Sequence, residues 1–562
     1  MATRLPRTSP PALTRRSFLE HLGAVGGSSL VMTALSSWDL MAEGAGQRPA
    51  LTGRPAKARV VVLGAGTSGL VVAHELVKLG YDVHVLEARD RVGGIAWSVR
   101  KGATHTELGP GGETQTCTWD EGQYVNAGAW RIPHSHTGVL GYCRELGVPM
   151  QVFLNDSDAN YFYYEGAAAG TLANRKIRMR EVKADITGQV NELLVKAIDQ
   201  KQLDLPMTAD DQKRLTDFLV RQGYMDASTR TYKTFADRGE GDPIKLAALL
   251  EAGFDNRLRS VPPMEGTAAA PMFQPIGGMD QICQAFARAI GPKRLTFNAA
   301  VESVHQNDAG VKVVYKNTKT GKKTELTADF VVACLPLSIV SGIDINLSDT
   351  MMQAVKRVTY SDSAKIGLAM KRRFWEEDDR IFGGHLYSNL PIGEFSYPSY
   401  DYFTKKGVLL GLYANGPIAD LIERPIAQRV EHVMMHASKV HPQIRAEFES
   451  AYAVFWKKVP YSNGGYATVR AVSLREQLSK VENRIVIGSA ATAPRSLPAG
   501  RPSSLSTNAR CAASRAPPAS PNLRTGVRNG TDEAASPWRQ RQFLRPVLAR
   551  HAHRIGTGDG RL

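Results

Sequence analysis

Residues 59–87 constrain the fold more than any other stretch. Arg59-Val60-Val61-Val62-Leu63 is a continuous β-branched run, as a parallel strand buried on both faces requires. Gly64-Ala65-Gly66-Thr67-Ser68-Gly69 follows at once, and Leu70 to Leu79 then reads as a helix ended by Gly80. Val83-His84-Val85-Leu86-Glu87 supplies a second strand. The glycines allow a tight turn and close approach of the backbone to a pyrophosphate at the helix N-terminus. Glu87 closes the unit where a carboxylate can take both ribose hydroxyls. Strand, glycines, helix, strand and acid in register over about 30 residues specify a dinucleotide-binding unit. Gly64, Gly66, Ser68, Gly69 and Glu87 are its candidate cofactor-binding residues.

The chain has 562 residues, too many for one ordinary core, so two or three domains are expected. Hydrophobic residues at 43% and charged residues at 22% place it among globular chains. Five cysteines exclude a disulfide-framed scaffold. The longest apolar candidate, Leu22 to Leu35, is broken by Gly and Ser and falls short of the roughly 20 residues that span a bilayer. The net charge of +16 suggests nucleic acid until its distribution is read. Residues 500–562 hold 11 Arg, no Lys and 3 acids, and residues 1–56 hold 6 Arg and 3 acids, leaving +5 on 57–499. That balance is ordinary for an enzyme, and no nucleic-acid partner is expected.

The N-terminus reads as an address. Thr14-Arg15-Arg16-Ser17-Phe18-Leu19 matches the twin-arginine export pattern, and the weakly apolar Leu22 to Leu35 follows it. The expected partner is the twin-arginine export machinery, and the expected location is periplasmic or secreted. This route carries proteins already folded with their cofactor, in keeping with the few cysteines.

Glu87-Ala88-Arg89-Asp90-Arg91-Val92-Gly93-Gly94 resembles the E-A-R-x-R-x-G-G extension of flavin amine oxidases, whose arginines and glycine pair wrap the phosphates of FAD. Ile95 stands where that family usually has a further Arg. The resemblance covers about 57–499 and points above all to bacterial L-amino-acid oxidases. Asn126-Ala127-Gly128-Ala129-Trp130-Arg131-Ile132-Pro133 looks like the family's G-x-x-R-[IL]-P segment, and Met272 to Asp280 like its G-G-M-D turn. Val301 to Tyr315 with Ala328 to Cys334 resembles the hairpin and strand beside the adenosine. Lys365 falls at the family's flavin-site lysine, Tyr397 at its substrate-carboxylate tyrosine, and Trp456 with Gly464-Gly465 at its site-lining segment.

The resemblance implies an α/β fold: a discontinuous Rossmann-type FAD domain, a mixed-sheet substrate domain and a helical insertion. It places the FAD domain in 57–113, 266–345 and 480–499, the substrate domain in 114–160 and 346–479, and the insertion in 161–265. FAD contacts are implied for Gly64, Gly66, Ser68, Gly69, Glu87, Ala88, Arg89, Arg91, Gly93, Gly94, Gly128, Ala129, Trp130, Arg131 and Val301. Within the insertion, Leu193, Leu194, Ala197 and Ile198 recur at helical spacing, as do Leu215, Phe218 and Leu219, and read as core. No metal site is expected, and the resemblance admits a homodimer.

The implied chemistry is oxidative deamination of an L-amino acid to 2-oxo acid, ammonium and hydrogen peroxide, with O2 as oxidant. Arg131 would hold the carboxylate through a bidentate fork, Tyr397 would add a hydrogen bond, and Lys365 would hold a water at the flavin. Trp456 and Gly464 would line the cleft. An amine oxidase and an amide-forming amino-acid 2-monooxygenase remain open on the same fold. So does an inactive product of a frameshifted gene, because the family pattern ends at Leu497-Pro498-Ala499. From Gly500 onward the chain is rich in Arg, Ala, Pro and Ser, with no sustained apolar period, and is expected to be disordered.

Overall fold

The computed structural model describes residues 58–134, 136–200, 208–235, 242–254, 271–415, 419–469 and 471–489. All of them belong to the first of two compact units, Met1–Pro498 and Ala499–Leu562. The export signal and the basic tail lie outside the described residues.

The unit at 59–87 forms strand β1 (Arg59–Leu63), helix α1 (Thr67–Lys78) and strand β2 (Asp82–Leu86). Strand β1 is buried on both faces from Val60 to Leu63, which is why its sequence does not alternate. It lies at the centre of a five-stranded sheet in the order Leu295–Thr296, β2, β1, Phe330–Ala333, Ile485–Ile487, with every neighbour parallel. The sheet draws strands from four distant parts of the chain. Helix α1 packs beside helix Asp280–Ile290 through Leu70, Ala73, Ile282 and Phe286.

The second large sheet has seven strands, in the order Ile177–Arg178, Tyr161–Tyr163, His385–Ser388, Glu394–Ser396, Gly407–Asn415, Ser363–Met370, Phe448–Phe455. Its pairings are antiparallel except that of Tyr161–Tyr163 with His385–Ser388. Strand Ser363–Met370 is buried along all eight residues. Ala364, Ile366, Leu368 and Met370 enter one core with Phe374, Phe395 and Val433. Lys365, Gly367 and Ala369 point to the other face by the two-residue period, and Ala369 packs there with Trp97, Tyr452 and Trp456.

Three helices, Met179–Asp199, Ala209–Gln222 and Leu246–Glu251, occupy the expected insertion. Leu219 is buried and Ile198 and Leu215 pack in the same cluster, as expected, but the rest of the buried stripe departs from the sequence expectation. Leu193 is 59% exposed and Phe218 49%, whereas Val182, Asp185, Gly188, Asn191 and Val195 face inward. Polar residues take inner positions because they are bonded there: Asp185 accepts from the Tyr232 hydroxyl at 2.7 Å and from the Ile244 amide at 2.8 Å. A side chain at Gly188 would strike the Tyr232 ring at 2.2 Å. Among the described residues no helix is long and apolar enough to cross a membrane.

Candidate active site

Backbone builds the cofactor end of the site. The amide of Gly64 donates to the Leu86 carbonyl at 2.7 Å and ties the first turn to β2. A Cβ on Gly69 would lie 1.9 Å from the Gly64 carbonyl oxygen, so only glycine lets α1 press against that turn. The helix is capped by Gly66, which has no side chain to take its first amides, and no acid stands in its first turn. Those unsatisfied N–H groups and the helix dipole form an anion site. Glu87 is buried; one of its oxygens accepts from the Ala65 amide at 2.8 Å and the other from the Arg89 amide at 3.0 Å. The acid therefore braces the glycine turn, and each oxygen keeps a lone pair for a ribose hydroxyl.

A second glycine turn abuts the first. The Gly93 amide donates to the Ala65 carbonyl at 2.8 Å. Gly93 and Gly94 have φ of +101° and +57°, conformations that L side chains rarely adopt. Arg91 stands behind this turn and does not line the cavity. Its guanidinium donates to the Gly94 carbonyl at 2.9 Å and lies 4.4 Å from the Trp97 ring. Burial, then the neighbouring Arg89 charge, pull its pKa down to about 9.

A cavity of about 170 Å³, open to solvent, runs from these turns past Ala129, Trp130 and Arg131. Tyr360, Tyr413 and the segment Tyr461, Ser462, Gly464 to Ala467 complete its far wall, and Cys334, Leu335, Pro336 and Ser489 close it beside the parallel sheet. The Tyr413 and Tyr466 hydroxyls are 3.2 Å apart. Arg131 is half-buried, its guanidinium 4.8 Å from the Trp130 ring. Glu87 is the single acidic side chain among the described lining residues.

Of the residues nominated from sequence, Gly64, Gly66, Ser68, Glu87, Ala88, Arg89, Gly93, Gly94, Ala129, Trp130, Arg131 and Gly464 meet on this cavity. Seven do not line it. Gly69 and Arg91 support the turns from behind. Gly128 is held against the Ile95 carbonyl, which a Cβ would approach to 1.7 Å. Val301 is half-buried in strand Ala299–Gln306 and packs with the core of Val61, Leu63 and Leu86.

The remaining three are buried beside or behind the cavity. Lys365 is 2% exposed, and its ammonium donates to the Gly128 carbonyl at 2.7 Å and the Asn126 carbonyl at 3.1 Å. It lies 4.4 Å from the Tyr413 ring and 5.1 Å from the Trp130 ring, one layer behind the wall those rings form. Tyr397 is buried away from the cavity with its hydroxyl 2.7 Å from His441 Nε2. His441 Nδ1 in turn meets Asp379 at 3.0 Å, and the Tyr161 hydroxyl donates to the same carboxylate at 2.9 Å. Burial lowers the proton affinity of His441, so Nδ1–H donates to Asp379 and the Tyr397 hydroxyl donates to Nε2. Trp456 is a core residue; its indole N–H donates to the Ala127 carbonyl at 2.8 Å.

Sequence reasoning missed Tyr360, Tyr413, Tyr461 and Tyr466. The doublet Gly464-Gly465 immediately before Tyr466 was the available signal for the last. The other three stand in strands and turns whose partners lie far away in the chain.

A model of the flavin containing amine oxidoreductases matches residues 67–499. YobN of Bacillus subtilis, a candidate L-amino-acid oxidase, is 25% identical over 422 residues, 72% of this chain and 84% of its own. The L-amino acid oxidase bordonein-L of Crotalus durissus terrificus is 26% identical over 443 residues, 73% of this chain and 77% of its own. A wild-type putrescine oxidase bound to putrescine shares the fold, with a TM-score of 0.50 at 18% identity over 78% of this chain and 94% of its own. The twin glycine turns, the uncapped helix N-terminus and Glu87 fit the dinucleotide such proteins carry. With the match extending over most of the sequence, this chain belongs to the flavin-containing amine oxidoreductases, enzymes whose cofactor is FAD.

Proposed function

We propose that the protein oxidises L-amino acids: amino acid, O2 and water yield 2-oxo acid, ammonium and hydrogen peroxide. The observation that carries this reading is the charge arrangement of the cavity. Arg131 lies on its wall beside Trp130, while Glu87, the one carboxylate among the described lining residues, is committed at the cofactor end. A guanidinium fork there pairs with an α-carboxylate. Among the described lining residues a diamine would meet no carboxylate but Glu87 for its second ammonium.

FAD, when bound, would supply the two-electron redox chemistry that links the amino acid to O2. The chain's own contribution is binding and orientation. Gly64 to Ser68, Glu87, Gly93 and Gly94 would hold the cofactor. Arg131 would fix the carboxylate, and Trp130, Tyr413 and Tyr466 would confine the side chain and exclude water. Lys365 contributes as a buried cation that keeps Trp130 and Tyr413 in place.

Assay of peroxide, 2-oxo acid and amide from one panel of amino acids and amines tests the reading. Peroxide with oxo acid from amino acids is expected. Amide with CO2 would assign a 2-monooxygenase, and turnover of amines alone would assign an amine oxidase. Arg131→Lys should raise the KM for amino acids about 10- to 100-fold, the equivalent of roughly 1–3 kcal/mol, with FAD retained. Parallel loss of flavin and activity would make Arg131 structural. Export by the twin-arginine route rests on Thr14 to Leu19. Replacing both Arg15 and Arg16 with Lys should hold a tagged precursor in the cytoplasm.

A further inference from the structure

Helix Ile426–Ala437 packs on the core of the seven-stranded sheet through Val433, Met434 and Ala437. It also carries His432 and His436, four residues apart and therefore one above the other on its surface. Their imidazole rings lie 4.7 Å apart, inclined at 62°. Both residues are half-buried, and Met435 beside them is exposed. The pair does not line the cavity.

Hydrogen bonding leaves both rings able to ligate. His432 Nε2 lies 2.8 Å from the Pro391 carbonyl, which only accepts, so in the neutral ring Nε2 carries the proton and Nδ1 the lone pair. A ligating histidine commonly has its second nitrogen tied to a backbone carbonyl in this way. His436 Nδ1 is buried and has no hydrogen-bond partner among the described residues, so the ring can turn without breaking a bond there. Nearby charges are already balanced: Lys439 meets Glu165 at 2.8 Å, and Arg445 meets Glu431 at 2.6 Å.

The ring spacing selects the geometry. A ligand nitrogen about 2.1 Å from a metal puts the centre of its ring about 3.3 Å away. Two ring centres 4.7 Å apart then subtend about 90° at the metal, whereas a tetrahedral angle would need about 5.4 Å. Right-angled nitrogen pairs suit the square-planar or octahedral preference of Cu2+ and Ni2+. Rotation about χ2, a soft torsion for His, brings a nitrogen of each ring onto one ion.

We propose that His432 and His436 form a two-histidine site for a divalent transition-metal ion of the Cu2+ or Ni2+ kind, with water completing its coordination, where the sequence gave no expectation of a metal. The ion clamps one turn of helix Ile426–Ala437, outside the cavity and independently of the amino-acid reading.

Calorimetric titration of the full, FAD-loaded chain with NiCl2 in a non-chelating buffer tests the site, with thermal unfolding in the same solutions. Wild type should take up one more equivalent of Ni2+ than His436→Ala, with a Kd of about 1–100 µM. Losing either histidine should weaken that equivalent about tenfold or more. Ni2+ should raise the Tm of wild type more than that of His432→Ala or His436→Ala, because the paired ligands exist only in the folded helix. If His432→Ala fails to fold for want of its Pro391 contact, His436→Ala carries the test, since its Nδ1 has no bond to lose. Equal Ni2+ uptake and equal Tm shifts in wild type and His436→Ala would overturn the proposal by placing the ions on other histidines. So would a wild-type titration that does not saturate below about millimolar Ni2+. Zn2+ held more tightly than Ni2+ would overturn the right-angled geometry.

Discussion

The cofactor end and the substrate wall of the same cavity are built in opposite ways. The cofactor end is local and backbone-made: Gly64 to Gly69 and Glu87 to Gly94 fall within 31 residues of sequence, and their hydrogen bonds run between amides, carbonyls and one carboxylate. The wall is assembled from side chains at Trp130, Tyr360, Tyr413 and 461–466, with a buried lysine behind Trp130 and Tyr413. A backbone cradle tolerates few residues but is insensitive to what surrounds it. A side-chain wall can change lining residues one at a time, and its geometry depends on what lies behind it. The difference predicts that substitutions at the cofactor end act on folding and cofactor together, whereas those at the wall separate stability from substrate choice.

The sharpest break in that comparison is Gly69→Ala. Its methyl would need space 1.9 Å from a carbonyl oxygen, so a loss upwards of about 3 kcal/mol in stability is expected, with FAD lost in parallel. Thermal unfolding with and without FAD checks it, and a variant that binds FAD normally would show the turn to be pliable. Lys365→Met comes next. It leaves the Asn126 and Gly128 carbonyls without their buried donor and should cost about 2–3 kcal/mol in denaturant unfolding. Stopped-flow reoxidation of the reduced protein separates this packing role from the oxygen role that the resemblance implied. Near-normal reoxidation fits a lysine behind the wall, and selective slowing places its charge at the flavin.

A smaller effect is expected at His105, behind the wall with Nδ1 on the Tyr452 hydroxyl at 2.7 Å. Burial, opposed in part by Glu107, lowers its pKa to about 4. The folded state thus binds its proton less tightly than the unfolded state does. Its contribution to stability is fully present above the unfolded pKa of about 6.5 and is lost as pH falls from there toward 4. After discounting for partial exposure this amounts to about 2 kcal/mol. His105→Asn should flatten that acid limb in unfolding curves taken between pH 7 and 4, and an unchanged limb would shift the cause to other groups. Smallest of all, Leu193→Ser should change stability by under about 0.5 kcal/mol, since Leu193 faces solvent. Val195→Ala, two residues away and fully buried, should cost several times more.

The same contrast explains what could be read from sequence. The βαβ unit was legible because its signals are contiguous: a both-faces-buried strand, glycines at fixed offsets and an acid at the next strand end. The second glycine turn was legible for the same reason. The resemblance singled out Lys365, but which layer its ammonium occupies depends on Trp130 and Tyr413, both far away in the chain. Tyr397 sits beside its expected neighbours in sequence, yet its hydroxyl is claimed by His441, 44 residues on. The helical stripe was legible at Ile198, Leu215 and Leu219 but not at Asp185 and Asn191, which look like surface residues until Tyr232, Ile244 and the Leu219 carbonyl are brought to them.

The order of strands in the parallel sheet has a consequence during synthesis. Strand β1 needs Phe330–Ala333 on its flank, and that strand needs Ile485–Ile487. Elongation at roughly 5–20 residues per second separates the first of these from the last by roughly 20 seconds to over a minute. For that interval the glycine turns exist on a sheet with an open edge: Val60 to Leu63 are a template for strand addition by another chain until Phe330–Ala333 emerges, and that strand is one until Ile485–Ile487 emerges. The nascent protein is therefore exposed to aggregation through its parallel sheet for longer than through the substrate strands at 363–370, 407–415 and 448–455, which emerge close together. Slowed elongation should lower the yield of folded protein, and supplying FAD during translation should restore part of it only once the last strand has left the ribosome.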